Sequence, residues 1–160
     1  MPAFWEDYDR GVLTLDEVTG ILSGVNACPR AKCEEYLRLS IDMQEPVKPT
    51  EQLVRDLKAA GYKLFVLSNM SREFIDFLRR FPVYGLFDGE VVSCEEGVVK
   101  PEPEIYRRLL GRYGLDLAQT LFIDDGRKNV EAAQALGFAV YMPAPGEDFG
   151  HLFEEITATK

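Results

Sequence analysis

No apolar run in the sequence approaches the ~18 residues that a membrane-spanning helix needs, so no span is expected. Positive charge is also short: 18 Lys and Arg stand against 27 Asp and Glu, a formal net charge of -9. Without a basic stripe to replace phosphate counterions, a nucleic-acid partner is not expected. The first residues carry Glu6, Asp7 and Asp9 where a secretory leader would place positive charge and an apolar block, and the chain reads as cytoplasmic. Histidine is nearly absent. His151, the only one, sits in "GEDFGHLFEEI" near the end, and it reads as a surface residue. Cys28, Cys33 and Cys94 are odd in number and lack metal-type spacing, so they read as reduced thiols. Cys94 has no histidine partner that would make it a nucleophile. No internal repeat or low-complexity tract interrupts the chain.

What is present suits one main domain. The apolar share of 46% and charged share of 28% are ordinary for a globular protein, and a chain of this size buries roughly 70% of its unfolded surface. The texture changes at "QEPVKPTEQ", where Pro46 and Pro49 frame a connector between a segment spanning 1–47 and one spanning 48–160. The first segment reads as helical. Thr14 and Glu17 have capping-box spacing, and Val18, Ile21, Leu22 and Val25 trace an apolar stripe behind them. Pro29 starts another helix through Cys33, Tyr36, Leu37 and Ser40.

The second segment alternates helices with short apolar runs. "YKLFVLSN", "GEVVSC", "TLFIDD" and "FAVYMP" read as strands. "TEQLVRDLKAAG", "SREFIDFLRRF", "EPEIYRRLLGRYG" and "RKNVEAAQALG" read as the helices around them. Continuous rather than alternating apolar strands imply an α/β fold, a parallel sheet with helices on both faces and right-handed crossovers. In such sheets a ligand sits beyond the carboxyl ends of the strands. Those ends carry Ser68 and Asn69, Ser93 and Cys94, and Asp124 and Asp125, with Lys100 on the loop after the second strand. Ser68 can hydrogen-bond a phosphate oxygen. Lys100 supplies positive charge, and the following Pro101 keeps its backbone extended. Asp124 offers the hard oxygen that Mg²⁺ prefers. Each of these residues alone is as readily a turn, a solvated loop or a helix cap; their shared placement argues for a phosphate site beside a cation.

"FVLSN", "VVSCEEGVVKPEPEIY" and "TLFIDDGRKNVEAAQALG" resemble the second, third and fourth motifs of the haloacid dehalogenase-like (HAD) hydrolases over residues 48 to 143. The earlier "FWEDYDRGVLTLDEV" resembles the small helical cap of subfamily IA, as in phosphatases related to the N-terminal domain of soluble epoxide hydrolase. The resemblance implies a Rossmannoid sheet and a Mg²⁺-dependent phosphatase of small phosphorylated metabolites working through an aspartyl-phosphate. It implies that Ser68 and Asn69 bind the phosphoryl group, that Lys100 steadies the charge of nucleophile and phosphate, and that Asp124, with Asp125 beside it, ligates Mg²⁺. A 2-haloacid dehalogenase and a non-catalytic phosphate-binding or interaction module are the alternatives.

The family's first motif, an apolar strand ending in Asp-x-Asp, has no counterpart here. Asp7-Tyr8-Asp9 follows "MPAFWE", which contains a proline and a glutamate and is too short for a buried strand. Phe4, Trp5 and Tyr8 instead share one helical face, with Gly11 closing that helix. In the family the missing strand lies between those matching "KLFVLS" and "TLFIDD". Three arrangements follow from its loss: the flanking strands pair directly, a neighbouring segment or second chain fills the slot through strand exchange or homo-oligomerisation, or the sequence begins downstream of such a run.

Overall fold

The computed structural model describes residues 2–158; residue 1, at the head of the helical segment, and residues 159–160, at the tail of the second, lie outside it. Three helices come first: α1 (Ala3–Asp9), α2 (Leu15–Asn26) and α3 (Arg30–Asp42). Asp7, Tyr8 and Asp9 lie in α1. Tyr8 is buried against Phe4, Trp5, Leu15, Val18 and Leu37, so the aromatic spacing describes a packing face. At the start of α2 the Thr14 hydroxyl accepts from the Glu17 N–H at 3.3 Å, and the Glu17 carboxylate accepts from the Thr14 N–H at 2.8 Å. This capping box satisfies donors that the first turn leaves free. The apolar stripe is shorter than expected: Val18 is buried, whereas Val25 is exposed, and on α3 Cys33, Leu37 and Ile41 are buried while Tyr36 faces solvent. Val25 sits in the last turn of α2.

The rest of the chain runs α4 (Lys48–Ala59), β1 (Phe65–Ser68), α5 (Arg72–Leu78), β2 (Gly89–Val92), α6 (Ser93–Glu96), α7 (Pro103–Tyr113), β3 (Leu121–Ile123), α8 (Arg127–Ala135), β4 (Ala139–Tyr141) and α9 (Gly150–Ala158). All four expected strands form, and both pairings are parallel: β1 with β2, and β3 with β4. Helices cover both faces. Ile105, Tyr106 and Leu109 of α7 and Ala133 of α8 pack with Phe65, Leu67, Phe122 and Val140 on one side. Leu53 and Leu57 of α4 and Leu152 of α9 pack with Leu64, Leu121, Ile123 and Tyr141 on the other.

The single sheet expected from the alternating pattern is instead two two-stranded sheets. Strand backbone groups alternate sides. The Leu64 carbonyl accepts from Asp88 N–H at 2.7 Å, so even positions of β1 face β2 while Phe65 and Leu67 turn away. Asp124 N–H donates to the Tyr141 carbonyl at 3.2 Å, so Phe122 faces β4 while Leu121 and Ile123 turn away. Of the three arrangements, direct pairing of β1 with β3 is not adopted among the described residues. The apolar side chains of β1 are all half-buried rather than buried, as befits a strand with one bare edge.

The helical segment is tied to the strands through the residues around Asp9. Tyr8 Oη donates to Glu73 on α5 at 2.8 Å. The fully buried Ser93 hydroxyl donates to the Asp9 carbonyl and accepts from Met70 N–H at 2.8 Å. Arg10 pairs with Glu102 at 2.6 Å. Gly11 has φ of +79°, and a Cβ there would stand 2.5 Å from the Cys94 carbonyl oxygen, so only glycine lets this turn approach α6 so closely.

Candidate functional site

Lys100 is the centre of the crevice at the carboxyl ends of the strands. Its ammonium donates to the Leu67 carbonyl of β1 at 2.7 Å and to Asp124 Oδ2 beyond β3 at 2.6 Å. The two bare strand edges therefore meet at one cation. The pair is secluded, with side-chain exposures of 9% and 7% for Lys100 and Asp124, and the ammonium also lies 5.8 Å from the Phe122 ring centroid. Burying two charges is worthwhile only where geometry and further hydrogen bonds compensate for lost water. Both residues have such help. The Asn69 side chain accepts from Lys100 N–H at 2.7 Å and donates to the Lys100 carbonyl at 2.8 Å. The Lys100–Pro101 peptide that follows is cis.

Asp124 is held from the other side. Its Oδ1 accepts from Gly126 N–H at 2.7 Å and from Asn129 Nδ2 at 2.9 Å, which turns the chain into α8. With those bonds on Oδ1 and Lys100 on Oδ2, Oδ2 keeps one further acceptor position. Asp125 beside it is exposed. Among the described residues no cluster of three or more metal-type side chains forms. Asp124 and Asp125 are adjacent carboxylates, hard oxygen donors of the type that Mg²⁺ takes together with waters.

Of the residues expected from sequence, Asn69 and Asp124 are hydrogen-bonded to Lys100. Ser68 is the last residue of β1 and is half-buried. Asn69 engages the Lys100 backbone with both ends of its amide. Sequence reasoning did not single out Asn129, whereas Asp9 lies in the Asp7-Tyr8-Asp9 run considered above. Asn129 belongs to "RKNVEAAQALG", yet its contact with Asp124 spans the turn and no local pattern signals it. Asp9 is half-buried, and burial raises its carboxyl above the usual range although the Ser71 N–H beside it opposes that rise. His151 is exposed and lies 2.9 Å from Tyr141 Oη, away from Lys100. Two cavities, of about 290 and 250 Å³, lie elsewhere: between α2, α3 and Glu73, and beside the Pro46 connector.

Residues 7–137 match the family described as haloacid dehalogenase-like hydrolase. The chain is 31% identical over 134 residues to a sesquiterpene phosphatase of Aspergillus oryzae, covering 83% of this chain and 68% of that protein. A HAD-like family hydrolase from Porphyromonas gingivalis superposes with a TM-score of 0.78 at 28% identity, covering 94% of this chain and 77% of that one. A HAD family enzyme from Bacteroides thetaiotaomicron, solved with magnesium and inorganic phosphate, superposes with a TM-score of 0.74 at 28% identity, covering 92% of this chain and 77% of that one. The chain spans much smaller shares of other relatives, 26% of a drimenol cyclase of Aspergillus calidoustus for instance.

Proposed function

Because the chain belongs to the haloacid dehalogenase-like hydrolases, we propose that it forms the phosphate-binding and cation-holding part of a cytoplasmic phosphatase acting on small phosphorylated metabolites. Residues 1–47 serve as the cap over the substrate and 48–160 as the catalytic core. The observation that carries the reading is the Lys100 ammonium set between β1 and Asp124 at the mouth of two bare strand edges. A strand seated between β1 and β3 brings the nucleophilic carboxylate to that cation.

Each residue then has a defined task. Ser68 donates its hydroxyl to a phosphoryl oxygen, and Lys100 offsets negative charge as the carboxylate attacks phosphorus and the ester oxygen departs. Water cleaves the resulting acyl phosphate, so that one difficult displacement becomes two easier ones. Asp124 and Asp125 would hold Mg²⁺, which when bound would neutralise phosphoryl charge. Asn69 keeps Lys100 in place, and Asn129 keeps Asp124 in place. Support for phosphate over a haloacid comes from the two adjacent carboxylates, which a metal-free attack on carbon does not need.

The alternative of a non-catalytic phosphate-binding or interaction module draws on a specific observation: the Asp-x-Asp of the described residues lies in α1, with the Asp9 backbone bonded by Ser93 rather than placed between β1 and β3. Phosphate release from a panel of small esters separates these readings. It is measured with Mg²⁺ and with EDTA, with and without an added peptide of an apolar run ending in Asp-x-Asp. Turnover that needs both peptide and metal and disappears in Asp124→Asn supports the phosphatase. Metal-independent halide release from 2-haloacids overturns it in favour of a dehalogenase. Peptide binding with retained phosphate affinity and no turnover favours the module. Light scattering tests the related arrangement in which a second copy supplies the strand.

A further inference from the structure

Cys28 and Cys33 flank the start of α3, away from the Lys100 crevice, and nothing in the hydrolytic chemistry uses them. Their positions are not arbitrary. Pro29 is the N-cap of α3, which makes Cys28 the residue before the cap and Cys33 the fourth residue of the helix. Side chains at those two positions converge in the contact that ordinarily staples a helix entry with two hydrophobic groups. Here both staple residues are thiols, and the Cys33 Sγ lies 4.0 Å from the Cys28 carbonyl oxygen.

The turn that presents Cys28 is held from both ends. Ala27 closes α2 in a left-handed conformation, φ 48°. The Cys28 N–H donates to the Ser23 carbonyl at 3.2 Å, and the Ser23 hydroxyl donates back to the Cys28 carbonyl at 2.7 Å. The segment between the thiols is the first turn of α3, closed by the Cys33 N–H donating to the Pro29 carbonyl at 3.2 Å, so joining them costs little further chain entropy. Exposure divides the roles: Cys28 is half-exposed, whereas Cys33 is buried. Burial and the neighbouring Cys28 thiol both push the Cys33 thiol up, and Cys28, the more exposed of the two, is the thiol that a small molecule reaches.

We propose that Cys28 and Cys33 form a dithiol modification site that a low-molecular-weight disulfide oxidises to an intramolecular disulfide. The Cys28 thiolate attacks one sulfur of the small disulfide, whose S–S bond breaks and releases one thiolate. Cys33 gives its proton to water and attacks the Cys28 sulfur of the mixed disulfide, expelling the second small thiolate. Two protein thiols are oxidised and one small disulfide is reduced to two thiols. Oxidation fastens the turn between α2 and α3, and excess small thiol reverses it.

The test treats the folded, unmodified chain with oxidised glutathione and follows intact mass, free thiols and peptide maps. The expected result is loss of two hydrogens with no retained adduct, one free thiol remaining of the three, and a linked peptide joining Cys28 to Cys33. Cys33→Ala should instead retain one glutathione on Cys28, and Cys28→Ser should react more slowly and form no internal bond. A glutathione adduct that persists on Cys28 of the unmodified chain overturns the proposal, as does a bond between two chains through Cys94. Because the main readout uses no variant, misfolding of either substitution leaves the test intact. Phosphate turnover plays no part in it, so it stands or falls apart from the phosphatase reading.

Discussion

Asn69 and Lys100 are locked together by a reciprocal pair of hydrogen bonds, side-chain amide to backbone, at 2.7 and 2.8 Å. The loop that carries the crevice's cation is thus positioned by a residue 31 places earlier, at the end of β1. Asn69→Ala leaves both backbone groups without partners in a partly buried setting and is expected to cost about 2 kcal/mol. Urea unfolding measures that loss. In a peptide-complemented assay the same variant should reduce phosphate affinity more than Asn69→Gln, which retains both bonding groups.

The Lys100–Asp124 pair is expected to be strongly coupled. Asp124→Asn keeps an acceptor for Gly126 and Asn129 but leaves the Lys100 charge without its counterion, at a cost of about 3–5 kcal/mol. In a Lys100→Met background the same substitution should cost far less. A double-mutant cycle by chemical denaturation gives the coupling energy; additive losses would show that the ion pair does not bind the two sheets together.

Gly11 and Gly97 separate backbone conformation from close approach. Both have positive φ, +79° and +70°, but an added Cβ meets the Cys94 carbonyl only at Gly11. Gly97→Ala should cost about 1 kcal/mol. Gly11→Ala should cost about 2 kcal/mol more through overpacking, and should loosen α1 from α6. Limited proteolysis between α1 and α2 reads the loosening, and thermal unfolding reads the cost.

Stability should respond in opposite directions to the titration of two aspartates. Burial holds the folded-state pKa of Asp9 above its unfolded value. Its contribution is fully present below the ordinary carboxylate range and declines as pH rises through the raised pKa. Asp9→Asn should therefore stabilise the protein at neutral pH and flatten that decline. Asp88 is the reverse case: Lys58, the Leu64 N–H and Lys63 hold its carboxyl well below the usual range. Its contribution is present at neutral pH and declines as pH falls through the ordinary value toward the lowered one. Asp88→Asn should remove that acid dependence. Denaturation curves across pH for the two variants check both signs.

Local chemistry made much of the molecule legible. Thr14 and Glu17 carry their own instruction, since both partners of the capping box lie within one turn. The apolar runs at Phe65, Val91, Phe122 and Val140 fix strands wherever they fall. Around the crevice, residue types and strand ends brought Ser68, Lys100 and Asp124 into view. Their division of labour was less visible. Asn69 serves Lys100 across 31 residues, and Asp9 meets Ser71 and Ser93 only after the helical segment has docked. The parting of one expected sheet into two is a matter of which edges find partners, and alternation of helices and strands does not specify that. Tyr36 and Val25 mark the same limit on α2 and α3, where periodicity names an apolar face but not how far its cover extends.

The bare edges of β1 and β3 also bear on how copies of the protein behave toward each other. Unpaired strand backbone is a template for further pairing, and its opponent here is the net charge of -9. Repulsion between like-charged molecules keeps such edges apart near neutrality and fades as acid approaches the isoelectric point of about 4.7. The colloidal window of this chain is therefore set by the half-finished sheet: solutions should remain clear at neutral pH and low salt, and turn to β-rich precipitate as pH nears that point.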